Sequence, residues 1–407
     1  MNNSLFRSQV ITSLDDDDLY KFNMQQAMLH RCSFAEDCVY EFHLRTDEDL
    51  TPYIHEIKKQ LEAVCELGFM RSELENIAKK PWFRNDYVEF LKNFRLDYSS
   101  LYIRAEKDEN GNNNLRITAK ASAVSGTLFE IKVMAVVSEV RNRIKYPDVR
   151  AEDVRKRLYE KINYLLEMEK EHGLEGFKFA DFGTRRRFSY NTQFIVNDQL
   201  KRALPNMYIG TSNVHIANEL GVAAIGTQAH EWFQLWQQGK YKLQDSIYGA
   251  LEEWAQEYRG ENGYALTDII TMDAFVGSFD KFFGKLYDGL RHDSGCPFEW
   301  GEKAIAMYEN LGIDPKTKTL IFSDGLNMEL AVKLWMHFHK YINVSFGIGT
   351  NLTNDIEGVK PLNMVMKLLS VNGQPTAKIS DSPGKTLCKD EAYISYLKKV
   401  FKVPENH

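Results

Sequence analysis

From about residue 176 onward the chain repeats one local pattern: a short apolar run ends in Gly, Asp, Ser or Thr, and a helix-like segment follows. The run ends read "FKFADFGTR", "MYIGTSN", "AAIGTQAHEW", "ALTDIITMDAF", "YDGLRHDSG", "TLIFSDG" and "VSFGIGT". Apolar runs of this length, each followed by a helix, suit strands buried on both faces, and so favour parallel βα units over hairpins. Their spacing is irregular, which makes this a recurring architecture rather than a sequence repeat. The expected fold is α/β: an eight-strand TIM-like barrel, incomplete or distorted, with an open doubly wound sheet as the alternative.

In such a barrel the loops at the carboxyl ends of the strands converge on one mouth, where active sites lie. The polar groups at those ends are therefore expected to share a pocket. They are Arg185 to Arg187, Thr211, Ser212, Asn213, His230, Glu231, Asp273, Arg291, His292, Asp293, Ser323, Asp324, Gly325, Gly347, Gly349 and Thr350. A basic triplet is ordinarily solvated surface. At a strand end, the triplet of "DFGTRRR" is expected to face inward.

The flanks read differently. "VYEFHLRT" alternates like a strand, residues 101–122 read as two strands around an Asn-Gly turn, and residues 149–171 have helical spacing. Asp15 to Asp18 precede "LYKFNMQQAMLH" and suit either the first turn of a helix or a solvated acidic run. After residue 360, a second hairpin is expected around Asn372-Gly373, followed by a Gly-Lys loop. The expected division is an N-terminal α/β domain over 1–135, joined by about 361–407, and a barrel over 136–360.

A formal net charge of −6 disfavours a general nucleic-acid binder, which needs a basic face against phosphates. No apolar run has signal-peptide or membrane-spanning length, so a cytoplasmic protein is expected, without membrane partners. The five cysteines form an odd set with no C-x-x-C pair, which suggests free thiols rather than disulfides or a zinc site.

Some motifs mislead. Asp181-Phe182-Gly183 matches the kinase magnesium-binding triplet, but no H-R-D loop accompanies it. "SDSPGKT" is similar to a phosphate-binding P-loop but has Ile379 where the first glycine belongs. Lys385 with nearby amides can still bind phosphate. Arginine forks and the turn "FGIGT" together favour a phosphorylated substrate. His230 stands at a strand end with Glu231 beside it, a carboxylate that could orient a neutral, nucleophilic imidazole.

Taken together, "LYKFNMQQA" (19–27), "DFGTRRRFS" (181–189), "GTSN" (210–213), "GTQAHEWFQ" (226–234), "ALTDIITMDAF" (265–275), "LRHDSGCPFEWGEKAI" (290–305), "FSDGLN" (322–327), "FGIGTNLTND" (346–355) and "AKISDSPGKT" (377–386) give the chain its resemblance. Over nearly its whole length it resembles the nicotinate phosphoribosyltransferases of the bacterial, ATP-coupled type. The resemblance implies a distorted α/β barrel with an α/β domain built from both chain ends, and homodimers whose active sites lie at the subunit interface. The implied partners are nicotinate, phosphoribosyl pyrophosphate and ATP, with magnesium as cofactor and a phosphorylated histidine at His230.

Phe182, and Tyr20 from the partner subunit, would sandwich the pyridine ring, while Arg185 answers its carboxylate. Relatives that take nicotinamide carry aspartate where Ser212 stands, so the acid is expected here. Asp293 would hold ribose hydroxyls or magnesium and Arg291 phosphate. Ser323, Asp324, Gly325, Gly347, Gly349 and Thr350, with Thr211 and Lys385, would complete the substrate site. Cys296 occupies a position where relatives often carry an acid, which puts metal affinity in question. Nicotinamide or quinolinate transfer, and a non-catalytic phosphometabolite sensor, are the rival readings.

Overall fold

The computed structural model describes residues 5–107, 111–382, 388 and 390–404. Strands β1 (Cys38–Leu44), β2 (Leu101–Lys107) and β3 (Asn113–Ala121) come first in the chain. Seven short strands follow: β4 (Phe179–Asp181), β5 (Tyr208–Thr211), β6 (Ala223–Ala224), β7 (Tyr264–Leu266), β8 (Gly289–His292), β9 (Thr319–Phe322) and β10 (Asn343–Ile348). Strands β11 (Met364–Val371) and β12 (Gln374–Pro375) are last.

Strands β4 to β10 make one parallel sheet in the order β6-β5-β4-β10-β9-β8-β7. It curls as a barrel does, but seven strands replace the expected eight, and β6 and β7 remain unpaired edges among the described residues. The residue types that mark the strand ends have a local cause. Ser189, Asn213, Thr271 and Asn327 each accept a backbone N–H at the start of the helix that follows, which switches the chain from strand to helix.

The other sheet is antiparallel, in the order β12-β11-β1-β3-β2. Strand β11 pairs with β1 from Cys38 opposite Val371 to Leu44 opposite Met364, so the two ends of the chain meet in one sheet. The β11–β12 hairpin turns at Asn372 and Gly373, whose φ values of 50° and 74° are the left-handed pair that a tight hairpin turn demands. The β2–β3 hairpin forms as expected, and its tip at 108–110 lies outside the described residues. No helix among the described residues is long and apolar enough to cross a membrane.

The acidic run departs from both expectations. Helix α1 (Leu19–Arg31) starts one residue after Asp18 and has no acid in its first turn, while Asp15, Asp16, Asp17 and Asp18 are all buried. Each instead meets a partner from the rest of the fold, as buried charge must. Asp16 takes a two-pronged ion pair from Arg187, Nη1 to Oδ1 and Nη2 to Oδ2, each 2.7 Å, and a third bond from Asn213. Asp17 pairs with Lys132 on helix α2 (Phe129–Lys145), and Asp18 accepts from Ser212 Oγ at 2.6 Å. Asp15 faces His215 Nδ1 at 2.7 Å. Backbone bonds reinforce the join, with Leu19 N–H donating to Ser212 O and Val214 N–H to Asp17 O. Arg187 is therefore not a pocket residue but the anchor of this segment.

Replacing Arg187 by Met leaves the Asp16 carboxylate buried without its fork, which is expected to cost about 3–5 kcal/mol. Burial disfavours the Asp16 charge, but Arg187 and Asn213 hold its carboxyl below the ordinary value. Its contribution is thus present above the usual carboxylate range and fades as pH falls through the lowered value. Denaturant unfolding of Arg187→Met should show the full deficit near neutrality and a shrinking gap from wild type in acid; a pH-independent gap would refute the assignment.

Candidate active site

A cavity of about 630 Å³ opens at the carboxyl ends of the parallel strands, and residues of both sheets line it. Tyr20, Phe182, Arg185, Ser212, His230, Arg291, Asp293, Ser323, Asp324, Gly325, Gly349 and Thr350 all reach it. Others expected there do not. Thr211 is fully buried, its hydroxyl donating to Asp181 Oδ2 at 2.8 Å, because successive strand residues face opposite ways. Gly347 lies under the Phe182 ring: a Cβ there would come within 2.3 Å of it, so the glycine makes room for the aromatic face. Asn213 caps a helix, Asp273 is exposed and paired with Lys303, and His292 packs on Trp300. Lys385 lies outside the described residues.

The three arginines divide their work. Arg185 is 39% exposed in the cavity, with Glu130 Oε1 3.9 Å from Nη1. Arg186 also lines the cavity, but its Nε and Nη2 donate to Met364 O, tying the barrel mouth to β11. Arg187 holds the acidic run. Tyr20 lines the cavity within its own chain, because the docked acidic run carries the start of α1 to the mouth. The approach is close, since a Cβ on Gly226 would meet Tyr20 N at 2.6 Å.

His230 opens helix α3 (His230–Trp236), and its orienting carboxylate is not Glu231 but Asp268. Its Nε2 lies 2.8 Å from Asp268 Oδ1, and 3.8 Å from Asp293 Oδ2. Asp268 also accepts from Lys378 Nζ and Ser294 Oγ through Oδ2. The loops after β6 and β7 thus meet through side chains where the strands themselves do not pair. Sequence reading passed over Asp268 for Asp273, although an acid two residues past the end of β7 was the signal that could have found it. Burial pushes the His230 imidazole down, Lys378 adds to the effect, and the aspartates oppose it, so the net shift is below the ordinary histidine value. Burial opposes the charge of Asp268, but Lys378 and His230 hold its carboxyl well below the usual range. His230 is consequently a neutral imidazole at pH 7, and Asp268 an anion.

The other wall is phosphate-seeking. Arg291 donates through Nε to Ser323 Oγ, through Nη1 to Gln228 O and through Nη2 to Asp293 Oδ1 at 3.0 Å. Despite burial, Arg291 and His230 hold the Asp293 carboxyl down at about 2. Arg45, Lys367 and Lys378 add positive charge along the same cavity. Burial, then Lys378 and Arg45, push the Lys367 ammonium down to about 7, a deficit that an arriving anion would relieve. Sequence reading missed these three: Lys367 belongs to the antiparallel sheet and Arg45 directly follows its strand β1, away from the βα pattern. Cys296 is exposed outside the cavity, as the residue before the helix Pro297–Asn310.

Because Lys378 helps to hold His230 neutral, Lys378→Met should raise the pH at which His230 titrates. Histidine NMR on the labelled chain reads this directly, and an unchanged or lower midpoint would show that burial alone sets it.

Sequence and structure comparisons agree with this geometry. The nicotinate phosphoribosyltransferase N-terminal domain model matches residues 16–138, and the nicotinate phosphoribosyltransferase family model matches residues 177–405. A nicotinate phosphoribosyltransferase of Ectopseudomonas mendocina is 48% identical over 405 residues, covering 100% of both chains. Nicotinate phosphoribosyltransferase 1 of Pseudomonas aeruginosa is 48% identical, over 99% of this chain and 100% of its own. The crystal structure of nicotinate phosphoribosyltransferase from Vibrio cholerae superimposes with a TM-score of 0.94 at 37% identity, over 99% of this chain and 96% of that one. That from Porphyromonas gingivalis gives 0.88 at 34% identity, over 97% and 100%. Matched end to end in sequence and in fold, the chain belongs to the nicotinate phosphoribosyltransferase family.

Proposed function

We propose that this protein transfers a phosphoribosyl group from phosphoribosyl pyrophosphate to the ring nitrogen of nicotinate, coupled to ATP hydrolysis through a phosphohistidine at His230. The observation that carries the coupling is the His230–Asp268 pair at the barrel seam, the aspartate buried and the imidazole partly open to the cavity that Arg291 and Lys378 also line. An imidazole that donates Nε2–H to Asp268 keeps its lone pair on Nδ1. That nitrogen attacks the γ-phosphorus of ATP, the bond to the β–γ bridging oxygen breaks, and ADP leaves. Phosphorylation puts about two negative charges into the cavity, which the surrounding arginine and lysines answer.

For the transfer itself, the nicotinate ring nitrogen attacks the ribose carbon as the bond to pyrophosphate breaks. Tyr20 and Phe182 offer flat faces to the pyridine, and Arg185 offers its fork to the carboxylate. Positive charge developing on the ribose carbon is stabilised by the Asp293 anion, while Arg291 holds phosphate oxygens. Magnesium, when bound, would neutralise phosphate charge, and the donor set fits it. Asp293 commits Oδ1 to Arg291 and leaves Oδ2 3.8 Å from His230, and one or two carboxylates beside phosphates are what magnesium ordinarily takes.

One observation speaks for nicotinamide: Asp18 stands against Ser212, where a carboxylate could accept from an amide. Burial pushes the Asp18 carboxyl up toward its neutral form, which does not repel nicotinate, and Arg185 then favours the acid.

Product formation from each base with phosphoribosyl pyrophosphate and magnesium, with and without ATP, tests the whole reading. ATP should stimulate nicotinate mononucleotide formation, and His230→Asn should abolish the stimulation and the labelling from γ-labelled ATP while slow basal transfer remains. Coupling retained in His230→Asn would overturn the phosphohistidine. Ser212→Asp adds a second carboxylate beside Asp18 and should weaken nicotinate use by about ten- to a hundredfold, the worth of one charge-assisted contact. Undiminished nicotinate turnover in that variant would place the carboxylate elsewhere.

A further inference from the structure

Lys21 is fully buried in the first turn of α1, directly after the cavity residue Tyr20, yet does not itself line the cavity. Its ammonium reaches two carboxylates at once: Glu130 Oε2 at 2.5 Å and Glu231 Oε2 at 2.7 Å. Both acids line the cavity, side by side where they share the lysine. Glu130 lies 3.9 Å from Arg185, the cation proposed for the nicotinate carboxylate. Glu231 adjoins His230 at the start of α3, and it accepts further bonds from Tyr40 Oη at 2.7 Å and Thr127 Oγ1 at 3.1 Å. All of its donors belong to the N-terminal segment, so the helix that presents His230 is fixed to that segment and not to the barrel alone.

A lysine with one positive charge between two carboxylates cannot satisfy both fully. Whatever draws Arg185 away from Glu130, as an arriving carboxylate would, raises the demand of Glu130 on Lys21. Whatever charges the His230 end alters the demand of Glu231. We propose that Lys21 is a positioning residue that ties the nicotinate end of the cavity to the His230 end through Glu130 and Glu231, so that occupancy of one end is felt at the other. The inference deepens the reading given above and rests on it, and by linkage the influence must run equally in both directions.

The test measures nicotinate KM and the ratio of rates with and without ATP for the whole enzyme, together with protein labelling from γ-labelled ATP. Lys21→Met should collapse the ATP-to-basal ratio at least tenfold and abolish the effect of nicotinate on labelling. Thr127→Val, which removes a different donor from Glu231 and only a long 3.5 Å contact from Lys21 while leaving the lysine between its two carboxylates, should change the ratio by less than threefold. Should Lys21→Met fail to fold, Glu231→Gln probes the same link from the other end and is expected to lower the ratio in the same direction. A merely structural lysine would lower stability and scale both rates together, and an unchanged ratio in whichever variant folds would overturn the proposal. A wild-type enzyme without labelling or ATP stimulation would instead refute the phosphohistidine reading. The KM arm still decides on Lys21 in that case, because a nicotinate KM that does not move in Lys21→Met rejects the link.

Discussion

Four consecutive aspartates cannot be buried unless the rest of the molecule meets them, and the structure is organised around doing so. Asp16 takes the Arg187 fork, Asp17 takes Lys132, Asp18 takes Ser212 and Asp15 takes His215. The partners come from the loop after β4, from helix α2 and from the segment after β5. The acidic run therefore welds the N-terminal segment to the barrel mouth, delivering Tyr20 to the cavity and Lys21 to the buried layer behind its wall. Such a weld is poor at generating stability, since desolvation consumes most of its attraction, but it is unforgiving of misplacement. That makes it a device for register.

The barrel supplies the second constraint by failing to close. Between β6 and β7, where an eighth strand would have completed the ring, no strand pairing closes the seam among the described residues. Side chains occupy it: His230 from one edge, Asp268 from the other, and Lys378 from the segment beyond β12. A closed barrel would have packed this space with branched apolar residues. The open one has room for an imidazole held neutral by burial and by a neighbouring ammonium.

How much of this could be read in the sequence depended on how local its cause was. The βα pattern was legible because each strand announces itself by an apolar run, and four of the helices that follow by a capping residue. The β11–β12 hairpin was legible because Asn372-Gly373 accepts left-handed backbone. The fate of the acidic run was not, since Arg187 lies 171 residues from Asp16 and nothing near Asp16 points to it. Adjacency misled twice. Glu231 stands next to His230 in sequence, but neighbours on a helix project in different directions, and it serves Lys21 instead. Asp268 and Asp273 both follow β7, yet only the acid nearest the strand end turns inward, while the other, on the next helix, meets Lys303 in solvent. Thr211 fell to the two-residue period of a strand.

The pairing of β1 with β11 also bears on how the molecule is made. Cys38 waits for Val371, and Asp268 for Lys378, so neither the antiparallel sheet nor the His230 environment can be completed while the chain is still emerging from the ribosome. Pairing across such a sequence distance is slow, because loop closure must precede any reward. Most βα units pair with a neighbour in sequence and can form as they are synthesised, although β4 waits for β10. An incomplete chain would therefore resemble a barrel with an exposed β1 edge and no working cavity, and the enzyme acquires its chemistry only with its last strands.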